Sequence, residues 1–287
     1  MSNQVVEATK GIFSSKRGDV VEHVYPYQFK VREEVVTTNS GVIVPDRRVI
    51  IREDTNVALG IVGSNYKVLT HAEALDPILD EISKRKVETF KRVALAQGGA
   101  KMFAHIYFPD QEISLDSPSG KKDHCWPGIT VVNSLDGTLK YSIEATIYRL
   151  ACTNGMRVPM AIASMKTTHS KNKSYEEMVE EILAKIGDAG RFTSLQRWAS
   201  HVIEPDKMAT LAEKVIGTKG CLFPVRYLKD VQNEIKKESK GGVTSVWGLY
   251  NAFNSVLEHN LVRGKGKIER ARMLDENLFK VFAKTFK

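Results

Sequence analysis

Two side chains could carry covalent chemistry: Cys152 as a thiol nucleophile and His169 as its base. Their separation along the chain does not bring them together. His124 and Cys125 are neighbours, but adjacency in sequence does not place a base on a nucleophile. The motifs that usually announce catalysis are missing. There is no GxxxxGK[ST] phosphate loop, no GxGxxG after a strand, no HExxH and no GxSxG elbow. The seven histidines include no pair at i, i+4, so no metal site can be assembled from spacing. No catalytic residue, metal or cofactor is assigned, and the chain reads as a binding protein. A thiol or hydrolytic enzyme using Cys152 or His169 stays as an alternative.

The binding chemistry is basic and aromatic. Phosphates are held by Lys, Arg and backbone N–H groups, and unpaired bases stack on aromatic rings. Lys101 and Tyr107 share a strand-like run and, six apart, point to one face. Lys140, Tyr141, Tyr148 and Arg149 interleave the two residue types. Arg157, Lys166, His169, Lys171 and Lys173 follow, and no acidic residue lies between Glu144 and Glu176. This acid-free stretch is expected to make the primary contact, with Tyr107, Tyr141 and Tyr148 as stacking residues. A second basic region begins at Leu261. Arg263, Lys265, Lys267, Arg270 and Arg272 are expected to form an accessory surface, or a solvated face over a packed helix.

Bulk properties agree with a polyanionic partner. The 287 residues carry a formal net charge of +8 and a pI near 9.2. Hydrophobic residues at 42% are enough for a sizeable core. Cys125, Cys152 and Cys221 are odd in number and lack a CxxC pair, which points away from disulfides and zinc and toward a reducing cytoplasm. The leading MSNQVVEATKG has no apolar signal-peptide region, and no run reaches the ~18 apolar residues of a membrane span.

The elements that must position these residues fall into two groups. Val42–Val44, Val49–Ile51, Ala58–Val62, Tyr66–Leu69, Lys101–Leu115 and Gly128–Val132 read as strands, with turns at Pro45-Asp46, Gly63-Ser64-Asn65 and Asp136-Gly137. Leu75, Ile78, Leu79 and Ile82 make one helical face. Thr70 and Glu73 are placed for a capping box, with Asp76-Pro77 as another possible start. The segment carrying Ile143, Ala145 and Ile147 fits strand or helix. Beyond residue 170 the periodicity is helical. One helix is capped at Ser174, others open at Pro205 and Pro224, one is capped at Thr244, and a last one carries Ile268 to Phe282. The expectation is an α+β fold: a β-rich N-terminal half with one or two helices on a sheet, then a helical C-terminal half. The expected divisions are an arm over 1–40, a core over 41–170 and a helical region over 171–287, possible as one continuous domain.

Several ordered blocks resemble a known family. They are Ile61-Val62-Gly63-Ser64-Asn65-Tyr66-Lys67-Val68-Leu69 with His71-Ala72-Glu73-Ala74-Leu75, Asn133-Ser134 with Asp136-Gly137, and Arg149 to Met156, with the His169 segment and Thr244 to Phe253. Together they resemble a phage- and plasmid-encoded family catalogued as domain of unknown function nine-three-two. The resemblance implies a mobile-element protein of the bacterial cytoplasm and supplies no activity. A curved sheet crossed by a helix also resembles the core of Rad52-like single-strand annealing proteins, an analogy of architecture alone. The resulting expectation is a phage-type protein that binds or anneals single-stranded DNA in replication, recombination or transcription. Its partners would be a single-stranded nucleic acid and a polymerase or similar protein, with no membrane. A host-directed protein-interaction module is the alternative.

Overall fold

β-Branched runs bounded by turn formers fill the first half of the chain, and they become strands. The structure is a computed structural model and describes residues 27–116, 118, 120, 122–149, 157–158, 164–166, 175–186, 189–238, 244–257 and 267–286. The fold is α+β, β-rich first and helical afterwards. The chain forms two compact units that interleave in sequence. Unit 1 is Met1–Asp110, Gly128–Ala145 and Ala163–Lys185; unit 2 is Gln111–Pro127, Thr146–Ile162 and Ile186–Lys287. The expected arm, as far as residue 26, and the expected boundary at 170 lie outside the described residues. Residues 31–37, placed in that arm, form a strand.

In unit 1, β1 (Val31–Thr37), β2 (Ile43–Arg52) and β3 (Val57–Gly63) make an antiparallel sheet. Pro45-Asp46, expected as a turn, lies inside β2. Its extra residues are absorbed as a bulge, because Val35 pairs with Arg48 while Thr37 pairs with Ile43. Asp46 takes a positive φ of 56° there. Ile50, Leu59, Val62, Ala100 and Leu135 form a buried cluster under this sheet, with Phe29, Val31, Tyr66 and Val68 packed against it.

The larger sheet runs in the order β10 (Ser164–Lys166), β8 (Ser142–Arg149), β7 (Lys122–Ser134), β5 (Lys101–Tyr107), β4 (Phe90–Ala96). The segment that fitted strand or helix is β8. β7 and β8 contribute residues to both units. Helix α1 (His71–Ser83) begins with the capping box: the Thr70 hydroxyl accepts from Glu73 N, and the Glu73 carboxylate accepts from Thr70 N. Pro77 sits inside the helix, so it does not open it. Leu75, Ile78 and Ile82 are buried, each contributing about 1.5–3 kcal/mol of transfer free energy.

Unit 2 is mostly helical. β6 (Ile113–Asp116) pairs with the start of β7, and β9 (Arg157–Val158) with the end of β8. In unit 1, α2 (Tyr175–Ile186) runs up to the junction; unit 2 continues with α3 (Ala189–Ser200), α4 (Pro205–Gly217), α5 (Leu228–Glu238), α6 (Val246–Val256) and α7 (Lys267–Thr285). Pro224 opens a 3-10 turn, Val225–Tyr227, ahead of α5. The cap of α6 is Ser245, one residue beyond Thr244, which lies in the short strand β12 (Thr244–Ser245) paired with β11 (Val202–Ile203). Every residue of α6 is buried. Its Tyr250 and Phe253 meet Trp198, Phe279 and Phe282, with ring centroids 5.1–6.1 Å apart for Tyr250 against Phe282 and Phe279. Among the described residues no helix is long and apolar enough to cross a membrane.

Candidate nucleic-acid interface

The expected stacking residues are interior. Tyr107, Tyr141 and Tyr148 are 6%, 4% and 2% exposed, and Lys101 is 3% exposed. Alternation along β5 does put Lys101 and Tyr107 on one face, but all seven positions of that strand are buried. Tyr107 packs on Phe90 with centroids 5.8 Å apart. The Tyr141 hydroxyl donates to the Ala74 carbonyl at 3.0 Å, tying the residue before β8 to α1. Lys101 Nζ stands 3.7 Å from Asp136 Oδ2, a buried ion pair. A base cannot stack on a ring that the core already covers, so these four residues serve the fold. Lys140 is exposed. Arg149, Arg157 and Lys166 lie in β8, β9 and β10, where Tyr148 pairs with Arg157 and Ser142 with Lys166. His169, Lys171, Lys173, Arg263, Lys265 and the alternative nucleophile Cys152 fall outside the described residues. Of the other cysteines, Cys125 is buried, and burial pushes the Cys221 thiol up.

Three of the family-like blocks, those carrying Tyr66, His71 and Asn133, meet inside unit 1. His71 Nε2 donates to the Gly99 carbonyl at 2.7 Å, and His71 Nδ1 accepts from Asn133 Nδ2 at 3.1 Å. Asn133 also donates to Leu69 O. Both imidazole nitrogens are thus engaged by a neutral ring. Burial brings its pKa down to about 4, and the Arg52 charge acts in the same direction against the Gly99 bond. Tyr66 donates to Ser134 O at 2.9 Å. The Asp136 carboxylate accepts from Thr138 N and Oγ1 and so closes the Asp136-Gly137 turn. Gly60 allows that turn to approach: a Cβ there would fall 2.6 Å from Asp136 Cβ. Period-2 reading also missed an interior polar row on the larger sheet. Arg92 pairs with His105 and His105 with Thr130, and His105 Nδ1 lies 3.1 Å from Thr130 Oγ1. All three are buried.

Charge divides unevenly between the two units. Unit 2 holds 22 Lys and Arg against 14 Asp and Glu, a net +8, while unit 1 holds 20 of each and is neutral. The acid-free stretch is divided by the same partition: Arg149 and Arg157 belong to unit 2, Lys166 to Lys173 to unit 1. On α7 the positions 270, 273, 277, 280 and 284 follow a 3,4,3,4 spacing and form one row. They are Arg270, Met273, Asn277, Lys280 and Lys284, with both lysines and Arg270 exposed. Glu269 and Glu276 fall on the adjoining row, at 269, 276 and 283. The third acid, Asp275, is turned inward. It accepts from the Tyr250 hydroxyl at 2.8 Å, and burial together with that carboxylate holds the Tyr250 phenol well above its usual range. Of the expected accessory residues, Lys267, Arg270 and Arg272 lie on α7.

A family model described as a domain of unknown function (DUF932) matches residues 58–277, from β3 to α7. Comparison with curated proteins and with solved structures finds no match.

Proposed function

The chain belongs to this family, whose description states no activity, and we propose that it binds nucleic acid through the phosphate backbone, with unit 2 as the binding unit. The observation that carries this reading is the charge partition: the whole net charge of +8 falls in one unit and the other is neutral. A polyanion is drawn to such a unit over distances of about a Debye length, and Arg270, Lys280 and Lys284 give it a row of contacts on α7. Contact is with phosphate; the buried Tyr107, Tyr141 and Tyr148 take no part in it. Within this reading the chain serves replication, recombination or transcription of a mobile element in the bacterial cytoplasm.

The test is a fluorescence-anisotropy titration with a single-stranded oligonucleotide and a duplex at 50 and 200 mM salt. Binding at low salt that weakens steeply with salt is expected. The combined variant Arg270→Gln, Lys280→Gln, Lys284→Gln reduces the salt slope by about 2–3. No binding of either strand form at the lower salt sinks the proposal.

A further inference from the structure

The basic row of α7 has an apolar neighbour. Leu222, Val225 and Met273 are 52%, 68% and 50% exposed. Met273 is part of the row itself. Leu222 is fixed to the row by Asn277, whose Oδ1 accepts from Leu222 N at 2.8 Å and whose Nδ2 donates to Gly220 O at 2.9 Å. Three residues beyond Leu222 comes Val225, followed by Arg226, whose guanidinium lies 4.8 Å over the Tyr227 ring. Lys219 and Arg226 are exposed at the two ends of this segment, and Arg270, Lys280 and Lys284 stand along the helix. Leu222 and the Met273 row are thus joined through Asn277, with Val225 three residues along the same segment and exposed cations on both elements, all within the unit that holds the net positive charge.

A duplex would use only half of such a surface. Its phosphates face outward and its bases are stacked inside, so Leu222, Val225 and Met273 would meet water or sugar. A single strand exposes base faces between its phosphates, and aliphatic side chains can bury apolar area against those faces while the flanking cations hold the backbone. We propose that this patch, from Lys219 to Arg226 with the 270–284 row of α7, is a binding site for single-stranded nucleic acid, with Leu222, Val225 and Met273 as its base-contacting residues. The proposal rests on the phosphate-binding reading above and adds the strand class and the residues that select it. It moves base contact from the buried Tyr107, Tyr141 and Tyr148 to exposed aliphatic side chains of unit 2.

The experiment compares the full chain with the combined variant Leu222→Ser, Val225→Ser, Met273→Ser, titrated with labelled oligo-dT and a duplex of equal length at 50 mM salt. Thermal melts confirm that the variant is folded, which half-exposed positions allow. The expected result is about a tenfold loss of affinity for oligo-dT and less than about a twofold loss for the duplex. The single variant Val225→Ser should lose part of the same preference. Equal losses on both strand forms, or no loss on either, overturn this proposal while leaving phosphate binding standing. Failure of the unaltered chain to bind either strand form overturns both. Loss of binding to anionic lipid vesicles in the variant, with oligo-dT affinity unchanged, assigns the patch to a membrane surface and overturns the proposal.

Discussion

Lowering the pH should destabilise the chain through His71, and the size of the effect follows from the hydrogen bonds at its ring. Nε2–H donates to Gly99 O, and Nδ1 can accept from Asn133 only while it carries no proton. A proton on Nδ1 would point at the Asn133 amide hydrogens inside a site that is 1% exposed. The folded pKa is accordingly about 4, against 6.5 for an ordinary histidine. Because the folded value lies below the unfolded one, the unfolded chain takes up the proton first as pH falls. The contribution is complete above 6.5 and is lost progressively between 6.5 and 4. Linkage over that window amounts to about 2 kcal/mol lost by pH 5 and about 3 kcal/mol by pH 4. The assay is urea denaturation of the unaltered chain and of His71→Leu at pH 7.5 and pH 5. The variant should be less stable at pH 7.5, since Gly99 O and Asn133 lose their partner, by about 1–3 kcal/mol. Its stability should also fall less between the two pH values, by about 2 kcal/mol, because contributions from other groups cancel in the comparison. Parallel pH dependences in the two proteins would refute the reasoning.

Other substitutions separate fold from binding. Gly60→Ala drives a Cβ to 2.6 Å from Asp136 Cβ and should cost about 1–3 kcal/mol in urea denaturation. Asp136→Ala should cost about 3–5 kcal/mol, because it removes the charge 3.7 Å from the buried Lys101 ammonium. Lys101→Met leaves the Asp136 carboxylate without its buried cation and should likewise cost about 3–5 kcal/mol, while the folded variant keeps its nucleic-acid affinity. A loss of affinity in that variant would return Lys101 to the binding surface. Phe282→Ala empties a fully buried position beside Tyr250 and Phe253 and should cost about 3–5 kcal/mol, read as a lowered midpoint.

The pattern of elements was legible wherever the determinant is local. The Thr70–Glu73 capping box needs only two side chains one turn apart, and it forms as the spacing predicts. The apolar faces of α1, α4, α6 and α7 follow from period 3.6, and the Asp136-Gly137 turn from glycine at a φ of 71°. Local chemistry misled at Pro45-Asp46. Proline and aspartate favour a turn locally, but β1 pairs with β2 on both sides of them, and that pairing makes the site a bulge.

What the sequence determined by itself was the fold class, the total charge and the residue types able to meet a polyanion. Those properties are sums or short-range periodicities, and each survives whatever the chain does at long range. The tertiary structure decided which of those residues are available. Alternation along β5 says that Lys101 and Tyr107 share a face, but only packing decides that both faces of the strand are covered. Charge along the chain suggested a continuous contact from Arg149 to Lys173. Three separate segments build each unit, so neighbours in sequence part company and the positive charge collects in unit 2. Burial and charge balance depend on which distant segments meet, and that information is held in the contacts between segments.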